Sequence, residues 1–209
     1  MPMVRPRLWL GQVDNGPQRH FFLGVACTGC GRREGSCRYP KRSQPGGGSR
    51  KPALQWTVAF VIRDFTPEDF HAVWLLDQEC FPPGLAYSTQ ELKQYIRHRG
   101  AFTLVATEAN DGRIAGFIVA HGGPAGHVIT IDVAGPARRS GVGSLLLGAA
   151  EERLRLGGCR SVGLETAVDN LAALAFYKRH GYSVVRTWPR YYSNGVDALV
   201  LKKLLETSA

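Results

Sequence analysis

The sequence predicts a mixed α/β domain of the α+β kind, preceded by a basic extension. Three observations lead there. Strand-like runs come first and last as antiparallel pairs, and helix-like runs stand between them rather than in strict alternation. The charge is unevenly spread: net charge is +9 over 209 residues, yet residues 1–55 carry ten Lys/Arg against Asp14 and Glu34, while the rest holds 16 basic and 15 acidic side chains. Finally, residues 1–55 lack any sustained period of 3.6 or 2, whereas residues 56–209 are periodic and numerous enough to bury a proper core.

The elements follow in order. Residues 57–63 are apolar and β-branched, a first strand. Pro67 with Glu68 and Asp69 opens a helix that runs to about residue 79: Pro suits a first turn and acids suit the positive helix end. Pro82-Pro83-Gly84 breaks the chain. Ser88 and Glu91 form a capping box for a helix to about residue 98. Residues 102–107 and 113–120 are strands joined at Asn110-Asp111-Gly112, a hairpin signal. Residues 127–133 make a fourth strand. The helix from Gly143 to about residue 156 carries Leu146, Ala150 and Leu154 as a core stripe, with Glu151, Glu152, Arg153 and Arg155 on its solvent side and Gly157-Gly158 as its stop. Val162, Leu164 and Thr166 alternate as a fifth strand. A helix spans about 170–180 and stops at Gly181, and residues 182–188 and 196–203 close the sheet.

The most informative segment is Arg138-Arg139-Ser140-Gly141-Val142-Gly143, between the fourth strand and its helix. The first N–H groups of a helix lack internal partners and lie at the positive end of its dipole, which makes an anion cradle. Glycines let a phosphate approach the backbone, and arginines add fixed charge. It is neither a Walker loop nor a Rossmann fingerprint. A solvated basic turn is the alternative reading.

Combined with Glu165 on the fifth strand, Asn170, Tyr177 and Gly181-Tyr182 on the next helix, and Arg190-Tyr191-Tyr192 before Asp197-Ala198-Leu199, the segment resembles the GCN5-related N-acetyltransferase (GNAT) superfamily, and more narrowly the bacterial ribosomal-protein-alanine N-acetyltransferases. The likeness covers roughly residues 57–204. It implies a twisted, mostly antiparallel sheet of about seven strands flanked by about four helices. It implies acetyl transfer from acetyl-CoA to an amine, with a protein N-terminus as acceptor, and a cytoplasmic enzyme.

The resemblance implies a role for each matching position. The fourth and fifth strands are expected to part near Val133, with Ile131, Asp132 and Val133 along the donor's arm and the Val133 N–H on the thioester oxygen. Arg138, Arg139, Ser140, Gly141, Val142, Gly143 and Ser144 would surround the pyrophosphate, Arg138 serving either phosphate or the loop fold. Glu165 is the candidate base, acting through a water in the family's chemistry, or else a salt-bridged strand acid. Tyr177 is the candidate acid or a core tyrosine, and Asn170 a cofactor contact, a helix N-cap, or both. Tyr191 and Tyr192 would grip the substrate backbone or else face solvent from their loop. The pattern has departures: Gly135-Pro136 shifts the usual proline by one, Ala137 and Ser140 replace a common aromatic and a common Arg, and Thr166-Ala167 replace Val-Arg. The 81–87 loop lacks the common Trp. The changes at 135–140 imply a modestly weaker cofactor affinity with the cradle kept, and the 81–87 loop shapes the acceptor pocket.

Other readings stay open. A small-molecule amine or lysine would need the same chemistry, though an α-amine, at about 7.7–8.0 against about 10.4 for lysine, needs a base least. A different class is a ribosome- or RNA-binding protein that uses residues 1–55 as a weak polyanion contact. Residues 40–52 read as a flexible charged linker. Cys27 and Cys30, with Cys37 and His20 nearby, fall short of two paired zinc knuckles, so no metal is expected. His121, His127 and His180 lack metal-ligand spacing. Cys80 and Cys159 read as buried thiols, and nothing in the chain suits a membrane span.

Overall fold

The computed structural model describes residues 59–205. The basic extension, with its three cysteines and linker, lies outside the described residues. Seven strands form one sheet: β1 (Phe60–Asp64), β2 (Ala101–Glu108), β3 (Ile114–His121), β4 (Gly126–Val133), β5 (Ser161–Ala167), β6 (Ser183–Trp188) and β7 (Ala198–Leu204), in the order β1-β2-β3-β4-β5-β7-β6. Four helices accompany them: α1 (Phe70–Cys80), α2 (Thr89–Ile96), α3 (Val142–Leu156) and α4 (Leu171–Arg179). Every strand pair is antiparallel except β4–β5.

Local chemistry sets the boundaries. The helix expected at Pro67 begins as a 3₁₀ turn, Pro67–Asp69, where the Asp69 carboxylate accepts the Thr66 N–H and both Arg63 Nη groups before α1 starts. Ser88 and Glu91 form the reciprocal capping box on α2. Gly158 and Gly181, at φ +84° and +86°, take the left-handed conformations that end α3 and α4.

Two apolar layers sandwich the sheet. Leu146, Ala150 and Leu154 of α3, with Tyr177 of α4, pack on Ile118, Ile131, Val133 and Leu164. On the other face, Val73 and Leu76 of α1, Leu92 of α2 and Phe81 and Tyr87 of their connection cover Val105, Phe117 and Val119. Because both faces are covered, β5 is buried at nearly every position rather than alternately. Glu151 departs from its expected place on the solvent side of α3. It is half-buried and accepts hydrogen bonds from the Tyr182 hydroxyl and the Lys203 ammonium, which pull it toward α4 and β7.

Candidate active site

The site is built on an interrupted strand pair. β4 and β5 are paired only at Gly126↔Val162 and His127↔Gly163, and then diverge. The parting expected near Val133 therefore begins six residues earlier, and a seam opens along most of β4. The β3–β4 ladder decides which β4 groups face it. Gly116 stands opposite Val133, and the Ala134 N–H bonds the Ala115 carbonyl. Val133 is therefore a non-hydrogen-bonded position, as is Ile131 two residues back. Their backbone N–H groups point away from β3, toward the seam. The amides of Thr130 and Asp132 are spent on β3, so Asp132 can meet a ligand only through its side chain.

Side-chain alternation gives the seam two different sides. Ile131, Val133 and Leu164 turn toward α3 and α4. His127 and Glu165 turn the opposite way and meet, His127 Nε2 lying 2.8 Å from Glu165 Oε2. Glu165 is 5% exposed, whereas the His127 side chain is 22% exposed, so the pair runs from the interior to solvent. The His121 ring stacks on His127 at 5.4 Å, and burial followed by the His127 charge lowers its pKa. His127 was missed because nothing in the chain links it to an acid 38 residues away. The signal available was its register position, opposite the strand that carries Glu165.

The loop expected to cradle an anion turns sharply before α3. Arg139 and Gly141 both have positive φ, 64° and 95°, so successive amides turn toward one side. The internal ladder of α3 starts with the Leu145 N–H on the Gly141 carbonyl, and Gly141 supplies no side-chain cap. The amides of Val142, Gly143 and Ser144 therefore precede the first rung. Gly143 lies against the Phe176 ring, which a Cβ there would meet at 3.4 Å, an ordinary van der Waals contact. Arg138 belongs to the loop fold, its Nε donating to the Val133 carbonyl at 3.1 Å. Ser140 caps the preceding turn through the Ala137 carbonyl.

Behind the seam lie buried polar atoms without hydrogen-bond partners among the described residues: Tyr177 Oη, Asn170 Nδ2 and Asp132 Oδ2. Such atoms cost stability and call for a ligand or a reason. Asn170 is also the α4 N-cap, its Oδ1 accepting the Ala173 N–H, so both readings of it coexist. Burial, then the charge of Asp132, raises the Tyr177 pKa and keeps the phenol protonated. Burial, then Asp77, raises the Asp132 carboxyl, with the Thr130 hydroxyl and Arg138 opposing. Cys80, whose thiol lies 3.5 Å from the Val133 carbonyl, is pushed up to about 12 by burial and Asp132, so it remains a thiol rather than a nucleophile. Tyr191 and Tyr192 do not face solvent. Each is 5% exposed; the two rings meet edge-to-face and pack with Ala167 of β5 and Ala198 of β7, on the Glu165 side of the sheet. Among the described residues no three His, Cys, Asp or Glu side chains are placed to hold a metal ion, and no helix is long and apolar enough to cross a membrane.

A comparison with family models decides the family: residues 70–182 match the acetyltransferase (GNAT) family. The chain belongs to the GNAT family. It is an N-acetyltransferase, and its sheet and four helices are the GNAT fold. An uncharacterised N-acetyltransferase of Methanocaldococcus jannaschii is 31% identical over 145 residues, covering 68% of this chain and 90% of that protein. N-alpha-acetyltransferase 30 of Schizosaccharomyces pombe is 30% identical over 118 residues, covering 54% of this chain and 77% of the relative. Among solved structures, the NatC complex bound to a Gag peptide and CoA contains a chain that is 25% identical, with TM-score 0.62 and coverage of 70% and 99%. The ribosomal-protein-S18-alanine N-acetyltransferase of Escherichia coli matches at TM-score 0.64 with 21% identity, covering 72% of this chain and 97% of that one, a likeness of fold. The seam, the uncapped α3 amides and the unpartnered buried atoms of this GNAT enzyme fit a coenzyme A thioester: a long polar arm with an anionic diphosphate.

Proposed function

We propose that the enzyme acetylates the N-terminal α-amine of a protein, with acetyl-CoA as donor. The observation that carries this is the Glu165–His127 pair, set on the face of the seam opposite α3 and α4. In this reading acetyl-CoA supplies an activated thioester carbonyl, and everything else falls to the chain. The amides of Val142, Gly143 and Ser144 bind the diphosphate, and Ile131 and Val133 hold the arm through backbone groups. The Val133 N–H donates to the carbonyl oxygen as charge grows on it. Glu165 takes a proton from the attacking amine, and His127, partly in solvent, orients the carboxylate and passes the proton outward. An α-amine is already partly neutral near pH 7.5, so a hydrogen-bonded carboxylate suffices.

Tyr177 donates a hydrogen bond to the departing sulfur. A thiol ionises near 8.5 and a phenol near 10 in water, higher in this buried site, so full proton transfer to the thiolate runs uphill. Donor rather than acid is therefore the better description of Tyr177. Tyr191 and Tyr192 wall the acceptor's approach beside Glu165. The names of N-alpha-acetyltransferase 30 and of the peptide-bound NatC complex favour a protein N-terminus over a small amine. Neither speaks for a ribosomal acceptor.

The test is acetyl transfer by the full chain with a library of free-N-terminus peptides, lysine peptides and small amines, read by mass. α-Amine products with a preferred first residue are expected. Glu165→Gln and His127→Asn should each lower turnover about 10²–10⁴-fold while sparing CoA binding. Products confined to lysine or small amines would overturn the acceptor assignment, and wild-type rates in both variants would overturn the base.

A further inference from the structure

One hydrogen-bond chain outside the Glu165–His127 pair ends on the anion cradle. His180, at the C-terminus of α4, places Nδ1 2.8 Å from the Phe176 carbonyl oxygen and Nε2 3.0 Å from Ser144 Oγ on the first turn of α3. The Phe176 ring lies 4.4 Å from the imidazole and also backs Gly143. The direction of this chain is fixed by chemistry. A carbonyl oxygen only accepts, so Nδ1 carries a hydrogen. In the neutral ring Nε2 then holds a lone pair, and Ser144 spends its single hydroxyl hydrogen on it. When the ring gains a second proton, Nε2 becomes a donor, Ser144 Oγ becomes an acceptor, and the serine hydrogen is released to point elsewhere.

We infer that His180 is a positioning residue for the donor's diphosphate, acting through Ser144. Protonation of His180 frees the Ser144 hydroxyl to donate to the bound anion and adds a positive charge beside it. Binding of the diphosphate is therefore coupled to uptake of a proton. This rests on the reading of the α3 amides as the diphosphate cradle. Cations approach His180 from two elements. Lys178 and Arg179 flank it on α4, the Arg179 guanidinium standing 5.9 Å from the shared Phe176 ring. The Lys203 stem of β7 runs beside Gly181. α3 faces it with neutral Ser144, while Glu151, further along that helix, is engaged by Tyr182 and Lys203. A bound diphosphate would bring negative charge beside the ring, and a nearby anion favours the protonated imidazole.

The probe is dephospho-coenzyme A. Its diphosphate diester does not titrate near neutrality, unlike the monoester of coenzyme A, whose second ionisation lies near pH 6. Calorimetry with the full chain, in two buffers of different ionisation enthalpy, reads affinity and proton uptake together. The wild type should take up a fraction of a proton near pH 7 and lose about three- to tenfold in affinity between pH 5.5 and 8. His180→Gln should bind at every pH about as the wild type does at pH 8, with no uptake. Ser144→Ala, an independent variant at a half-buried position of the first turn, should shrink the pH dependence without touching the ring. A wild-type affinity that is flat with pH, or an unchanged slope in His180→Gln, would overturn the inference while leaving the cradle standing. No binding of the probe at any pH would overturn the cradle and the inference together.

Discussion

Tyr177→Phe separates stability from activity in a way that the structure makes quantitative. The phenol is 1% exposed, and its oxygen has no hydrogen-bond partner among the described residues. A buried, unsatisfied hydroxyl costs about 1–3 kcal/mol of desolvation. The ring itself packs against Phe176 and Tyr182 at 5.2 and 5.4 Å, contacts that phenylalanine keeps. Removing only the oxygen should therefore stabilise the ligand-free enzyme by about 1–2 kcal/mol, leaving part of the term for the small void created. For a domain of this size that raises Tm by roughly 2–8 °C. The same substitution deletes the donor to the departing sulfur, a loss of about 10²–10³-fold in kcat. Urea titration by circular dichroism and acetyl transfer under saturating donor measure the two effects on one preparation. A variant less stable than wild type would show that the hydroxyl is satisfied in the folded protein, and an unchanged kcat would remove Tyr177 from the chemistry.

Three further perturbations test the frame around the site. Gly116 lies under α3, where a Cβ would come within 2.8 Å of the Asp132 carbonyl and 3.0 Å of Val142, so Gly116→Ala should cost about 2–3 kcal/mol; a near-neutral urea midpoint would contradict the packing. Asp132 has its folded pKa raised by burial and Asp77, so the native state holds more protons and stability falls as pH climbs from the unfolded carboxyl value near 3.9 toward the raised one; Asp132→Asn should gain about 1–3 kcal/mol over wild type across that window, and parallel stability curves would refute it. Asp69 is the opposite case: its Arg63 partner lowers its folded pKa, so its contribution is present above about pH 3.9 and is lost as pH falls through the lowered value. Asp69→Ala should cost about 1–2 kcal/mol at pH 7 and nothing once wild-type Asp69 is protonated, and a deficit that survives in acid would refute the pairing.

Much of this was legible in the chain because it is local. The Ser88–Glu91 capping box, the α3 stripe of Leu146, Ala150 and Leu154, and the glycine stops each depend on residues within a few positions of one another. The glycine-rich turn into α3 was legible for the same reason. What escaped depends on pairing between distant strands. His127 finds Glu165 only because β4 and β5 touch at their first residues. Glu151 leaves the solvent side of α3 because Tyr182 and Lys203 arrive from α4's end and β7. The burial of Tyr191 and Tyr192 needs the end of β5 as a floor, which no reading of the loop itself supplies. The early divergence of β4 from β5 was misplaced because strand periodicity reports which face a residue takes, not whether its neighbour strand is still there.

The alternation along β4 gives its amides two fates. Thr130 and Asp132 are locked into the ladder with β3, and Ile131 and Val133, between them, are not. In deuterated water the strand should read as a dotted line, with every second amide slow to exchange. A ligand lying in the seam would fill in the gaps, so the donor's footprint has a period of two residues. Because only two residue pairs join the β4 and β5 strands directly, the helices bridging the rest, that same ligand would also act as a splint between the two halves of the sheet, which should melt more sharply with it than without it.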